Sequence, residues 1–321
     1  MIELVADPAA DSRIGELYAV AAYTVGILGE NYCSGVPFGT IAPELVNGIP
    51  ETTTEIFERA LNHLADADGF TAGDAAVANL VAVTRGRMLV NLGRYSEAAT
   101  AVASVPTDFE YLTFHSVTTP RQENLGFVFT FIFEMLAVSD NEGINGLNFA
   151  TANDPRVPIV FPDRDGDGIV DLSRNDGETP MYQYAIWNSR SAPVMTSNGF
   201  EARMIEAEAA LGTPATWLAI LNAARADPAA PAGLAPLADP GTAAGRVDLM
   251  FRERAFWVFA TGHRVGDLRR LTRQYGRDPE TVWPTGAYHK DNLTRGTLVN
   301  LPIPDSELNN PNFTGCLDTS A

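Results

Sequence analysis

The chain has 321 residues, enough for one large domain or two small ones, and folding could bury roughly three quarters of its unfolded surface. Hydrophobic residues at 45% and charged residues at 19% are globular rather than disordered proportions. Forty acidic side chains against 22 basic ones leave a net charge of −18, which argues against nucleic acid and anionic membrane surfaces as partners.

Met1 is followed by Glu3 and Asp7 rather than by a basic stretch, an apolar run and a cleavage site, so the sequence opens without an export signal. No apolar run is long enough to predict a transmembrane segment. From Arg13 to Leu28 small and apolar residues predict a first helix, and Gly35–Pro37 lies beyond its end. Thr53 or Thr54 can cap a second helix, on which Ile56, Phe57, Ala60, Leu61 and Leu64 form a buried stripe. Gly69 and Gly73 break the chain, and Asp74 can cap a third helix with Val77, Leu80, Val81, Thr84 and Met88 on one side. In the stretch Asn91–Pro106, Gly93 permits a tight turn, Tyr95 can pack between helices, and Ala98, Ala99 and Ala103 allow close approach. These offsets resemble the turn and second helix of a tetratricopeptide (TPR) unit; an arbitrary helical hairpin is the alternative.

Residues 106–198 read differently, as a loop-rich region with a few short strands. Within it the run Phe127–Phe133, FVFTFIF, alternates in a way that predicts a strand. The segment Asp163–Asp171, DRDGDGIVD, spaces Asp163, Asp165, Asp167 and Asp171 at loop positions one, three, five and nine. Gly168 takes the sixth position and Ile169 offers a backbone carbonyl at the seventh, the arrangement of a calcium loop. The twelfth position is Arg174 instead of glutamate, so Asp176, Glu178 or water must complete a structural Ca2+ site; a solvated acidic turn is the alternative. Tyr182, Tyr184 and Trp187 follow in irregular chain, and Trp283 and Tyr288 lie in a later coil. Core packing is the default for such rings, with Tyr182 and Trp187 the candidates for a ligand platform.

Helices return at Gly199–Leu211 and Trp217–Ala226. After an alanine- and proline-rich connector, Asp227–Pro240, the stretches Arg246–Ala260 and His263–Tyr275 form a helix pair hinged at Gly262. Val265, Leu268, Thr272 and Tyr275 make one stripe of the second helix. Glu253, Arg254, His263, Arg264, Asp267, Arg269 and Arg270 crowd beside Phe256, Trp257, Val258 and Phe259. Charges near a core persist when paired, which predicts a partly buried ion-pair network. His263 and Asp267, spaced i, i+4, form the acid–base alternative, but neither a nucleophile motif nor a phosphate loop accompanies them. Cys33 and Cys316 stand near opposite ends, equally readable as free thiols or as a disulfide worth up to roughly 5 kcal/mol.

The segment Phe251–Arg270, FRERAFWVFATGHRVGDLRR, resembles the C-terminal helix pair of the SusD/RagB family, matching at Glu253, Arg254, Gly262, His263, Arg264, Asp267, Leu268, Arg269 and Arg270. It departs at Thr261, where the family usually has an acid, and at Trp257, where a glutamate is frequent. Leu301–Phe313, LPIPDSELNNPNF, looks like the family's closing element, with Glu307 one residue nearer to Asn310 and Pro311 than usual. Arg203, Glu206, Ala207, Glu208 and Ala209 match its R-x-x-E-A-E-A helix, and Asp154, Pro155 and Arg156 its D-P-R.

The resemblance implies a mostly α fold: one SusD-like domain over 1–321, with TPR-like helices at 1–105, the variable region at 106–198, C-terminal helices at 199–276 and a closing coil at 277–321. It further implies a non-catalytic lipoprotein on the outer-membrane surface that binds oligosaccharide or peptide and docks on a TonB-dependent, SusC-like barrel. Cys33 lacks a lipoprotein cleavage motif, so the anchor is expected upstream of an N-terminally truncated or mis-started chain. A soluble TPR-type adaptor with reduced cysteines is the alternative from another class, and a glycoside hydrolase, which needs paired carboxylates across a cleft, ranks last.

Overall fold

The computed structural model describes residues 7–41, 43–71 and 73–320. Helices carry the scaffold, as expected from the helical periodicity, and among the described residues the strands form two-stranded sheets. Helix α1 spans Ser12–Asn31, α2 Thr53–Ala67, α3 Ala75–Asn91 and α4 Tyr95–Val102. Among the described residues no helix is long and apolar enough to cross a membrane.

Local chemistry sets the ends of these helices. The cap of α2 is Thr52, one residue earlier than predicted, because Glu55 completes a capping box: its carboxylate accepts from the Thr52 amide at 2.8 Å while Thr52 Oγ1 accepts from the Glu55 amide. Asp74 caps α3 by accepting from the amides of Ala76 and Val77. Gly93 turns the chain into α4 with φ of +72°, a conformation that costs glycine little. α1 packs on α2 and α3, and α4 on α3, around Phe57, Leu64, Leu80 and Val102.

The stretch predicted as a strand is helical instead. Asn124 caps a short α5, Leu125–Phe127, which continues as a π-helix over Val128–Ile132. The alternation of phenylalanines also satisfies i, i+4 stacking, and the helix uses it: Phe127 lies 5.1 Å from Phe131, and Phe129 6.0 Å from Phe133. The strands of this region lie elsewhere. Glu110–Thr113 pairs antiparallel with Val194–Asn198, and Ile159–Val160 with Gln183–Tyr184.

The first of these pairings aims the chain into α6, Gly199–Ala209, whose cap Asn198 accepts from the Glu201 amide at 2.8 Å. α7 spans Pro214–Ala226, α8 Ala243–Trp257 and α9 Arg264–Arg273. They share a second core around Trp217, Leu221, Phe251 and Leu268. A third, smaller core joins the loop-rich region to α8 through Val138, Phe149, Val157 and Phe256. Cys33 and Cys316 are disulfide-bonded, fastening the end of α1 to the closing coil beside Ile56 and Ile303.

Candidate ligand-binding site

The arginine-rich hairpin of α8 and α9 is held by paired charges. Asp267 accepts from Arg254 at 2.9 Å and from Arg270 at 2.8 Å, and Arg270 also pairs with Glu208 on α6. His263 lies 2.6 Å from Glu201 through Nε2 and 2.7 Å from the Thr261 hydroxyl through Nδ1. Glu253 faces away from this group and accepts at 2.8 Å from both Arg156 and Arg225. Arg269 donates to the carbonyls of Gly29, Glu30 and Tyr32, satisfying acceptors at the C-terminal end of α1. Glu30 in turn pairs with Arg87 of α3.

These bonds join segments far apart in sequence. Arg156 of the D-P-R segment meets Glu253, Glu208 of the E-A-E helix meets Arg270, and the Leu301 carbonyl accepts from the Cys33 amide at 3.0 Å. Burial alone would raise the Glu201 carboxyl, yet the neighbouring His263, Arg87 and Arg254 hold it down at about 2. Burial, with no carboxylate bonded to it, lowers the Arg269 guanidinium to about 10. Arg264, expected in the ion-pair network, forms no ion pair among the described residues, and unlike Arg269 it donates to no carbonyl there either; burial pushes its guanidinium down with only partial opposition from Asp267. The partners Arg87, Glu30, Glu201, Arg225 and Arg156 carry no local signal that would have tied them to the hairpin.

Between this hairpin and the loop-rich region lies a cavity of about 390 Å³. One side is apolar and aromatic: Leu136, Val138, Phe149, Tyr184, Trp187 and Phe259. The other is the α8–α9 turn, with Gly262, His263, Arg264, Val265 and Asp267. The rings form a continuous wall, Trp187 edge-on to Tyr184 at 5.4 Å, Tyr184 to Phe259 at 5.1 Å and Phe259 to Phe149 at 4.9 Å. Burial pushes the Tyr184 phenol up to about 12, so it stays neutral and works as a ring and a hydroxyl. Trp187 also sits so close over Gly126 that a Cβ there would lie 2.7 Å from the indole, which fixes the ring's position. Of the two rings singled out from sequence, Trp187 lines this cavity. Tyr182 does not; it stands just before the strand Gln183–Tyr184 and packs edge-on to Phe161 at 6.4 Å. Trp283 and Tyr288 border a separate, open cleft in the closing coil, where the Arg295 guanidinium lies 5.2 Å from the Tyr288 ring.

The acidic loop gathers three of its four candidate carboxylates. Carboxylate oxygens of Asp163, Asp165 and Asp167 lie within 4.8 Å of one another, all exposed. Asp163 accepts from the amides of Gly166 and Gly168, and Asp167 from that of Ile169. Both glycines sit at φ of +79°, which lets the loop fold back on itself. Asp171 is turned away to accept from the Arg164 amide at 2.8 Å. The Arg174 amide donates to Glu134 at 2.6 Å, and Asp176 pairs with Lys290, which does not bring either position to the cluster. Three clustered carboxylates are hard oxygen donors suited to calcium; they leave half or more of its usual six to eight positions to carbonyls, Asp171 on rotation, or water. Glu134, a residue sequence reading passed over, anchors the loop through Arg164, Arg174 and the Ser173 hydroxyl.

No protein-family model matches the chain, and no curated protein sequence does. Solved structures do. A SusD superfamily protein from Bacteroides vulgatus ATCC 8482 matches with a TM-score of 0.59 at 16% identity, over 95% of this chain and 77% of that one. The surface glycan-binding protein A from Bacteroides uniformis matches with a TM-score of 0.59 at 12% identity, over 94% of this chain and 77% of its own. A chitin-binding protein matches with a TM-score of 0.56 at 13% identity, over 96% and 77%. The chain has the SusD-like fold.

Proposed function

We propose that this chain binds carbohydrate at the cell surface and hands it to a TonB-dependent, SusC-like barrel without transforming it. The observation that carries the reading is the aromatic wall of Trp187, Tyr184 and Phe259 facing the α8–α9 turn, on a fold shared with proteins described as glycan- and chitin-binding. Pyranose rings present C–H faces to such walls, while the polar turn can accept or donate hydrogen bonds to hydroxyls. Glu253 and Asp267 are each bonded to two arginines, so neither is free to serve as a general base. The charged hairpin is therefore read as a structural tie.

The disulfide favours an oxidising compartment over the cytosolic adaptor reading, and with it a lipoprotein at the outer-membrane surface. Calcium in the acidic loop is part of the same proposal: bound by Asp163, Asp165 and Asp167, it would stiffen the segment leading to Tyr184 and Trp187. The test is affinity electrophoresis and calorimetry against a panel of neutral and acidic polysaccharides. Binding without release of new reducing ends, reduced at least tenfold by Trp187→Ala, is the expected result. Failure to retain any glycan, or turnover abolished by a folded Asp267→Asn variant, would overturn the reading.

A further inference from the structure

The arginines of α8 and α9 are not equivalent. Arg246, Arg252, Arg254, Arg269 and Arg270 each donate to an identified acceptor. Arg264 and Arg273 do not, among the described residues, and of these two Arg264 lines the aromatic cavity. Two acids that share a cleft with it are committed: Asp267, in the aromatic cavity, is shared by Arg254 and Arg270, and Asp248, across a second cleft that Arg264 also borders, accepts from Arg277 at 2.7 Å. His263 is bonded to Glu201 and Thr261. Among the described residues the positive charge of Arg264 is thus left without a bonded partner, at the edge of a chamber whose facing wall is apolar and aromatic.

The backbone adds to this asymmetry. α9 starts at Arg264 with no side-chain cap, and the residues around that start, Gly262 to Val265, line the same cavity. Uncapped amides and the positive end of a helix favour an anion there. A guanidinium with a free fork is suited to a carboxylate, which it can hold through two parallel bonds.

Resting on the carbohydrate reading above, we propose that this cavity selects an anionic sugar, a residue bearing a carboxylate such as a hexuronic acid. Arg264 grips the carboxylate, and Tyr184, Trp187 and Phe259 take the ring's C–H face. The net charge of −18 opposes any anion at long range, but salt confines that repulsion to about 8–10 Å, so selection operates in the partly desolvated chamber itself.

The experiment pairs two probes of equal length: a galacturonic acid tetrasaccharide and its carboxyl-reduced, neutral counterpart, each titrated calorimetrically into the full chain. The acidic probe is expected to bind at least tenfold more tightly, with Arg264→Gln erasing the difference between the two probes. Arg264→Lys should restore part of the preference, and circular dichroism melts of both variants check that the fold is kept. Equal affinity for the two probes, an acid preference that survives Arg264→Gln, or binding of neither tetrasaccharide would overturn the assignment. Retention of other glycans through Trp187 would leave the carbohydrate reading standing in each of those cases.

Discussion

Glu253 shows how much depends on a single carboxylate in this molecule. It is buried and is the acceptor for both Arg156 and Arg225, which come from the loop-rich region and α7. Removing it leaves two guanidinium groups near each other with too little negative charge between them. Glu253→Ala is therefore expected to cost about 3–5 kcal/mol in a urea denaturation series, the usual penalty for stranding a buried charge. A loss near 1 kcal/mol would mean the arginines find other partners. Glu201 gives the pH dependence. Its folded value near 2 lies below the ordinary 4.5, so its contribution is present above about pH 4.5 and is lost as the pH falls towards 2. Melting temperature should decline through that window, and Glu201→Gln should flatten part of the decline; an unchanged profile in the variant would locate acid sensitivity elsewhere. The charge density of Glu253–Arg270 was legible in the sequence, because charges beside aromatic residues need partners. Those partners were not, since Glu201, Glu30 and Arg87 are fixed by helix packing and no local spacing records it.

Among the elements, the acidic loop joins local sequence to tertiary placement. Its glycine spacing was readable, and three aspartates do converge. Asp171 and Ile169 were weighed as ligands from spacing alone; Asp171 accepts from the Arg164 amide, while the Ile169 amide donates to Asp167 and leaves the carbonyl as the group the spacing names. With Glu134 holding the loop at its base, calcium needs only to order the tip. Calorimetry with calcium chloride should therefore give weak, saturable binding, and Asp165→Asn should remove it. A melt that is the same in calcium and in chelator, with no heat at millimolar calcium, would remove calcium from the account. The FVFTFIF segment illustrates the opposite limit. Alternating phenylalanines fit a strand of period two and a helix of i, i+4 pairs equally well, and the Asn124 cap decides for the helix. Capping chemistry at Asp74 and the turn at Gly93 have no such ambiguity, which is why that helical hairpin was readable.

At the scale of the whole molecule, motifs separated by long stretches of chain turn out to be halves of the same joints. Arg156 with Glu253 and Glu208 with Arg270 bind the variable region and the α6 helix to the α8–α9 hairpin, and Leu301 with Cys33 binds the closing coil to the end of α1. The candidate ligand wall sits where that rigid hairpin meets the loops, so loops can vary while the turn beneath them stays fixed. Sequence alone could name Trp187 but not the chamber, because Phe149, Tyr184 and Phe259 meet it only after the third core has assembled.

Cys33 and Cys316 lie 283 positions apart, so almost every exposed loop falls inside one covalent ring. A protease that severs the backbone once at any point between them opens the ring without releasing a fragment. Limited digestion should accordingly run as one species on a non-reducing gel and separate into pieces only after dithiothreitol is added. Pieces that part without reductant would mean the ring is not closed in the protein as isolated. On the cell-surface reading proposed above, such a closed circuit would convert a fatal break into a survivable scar.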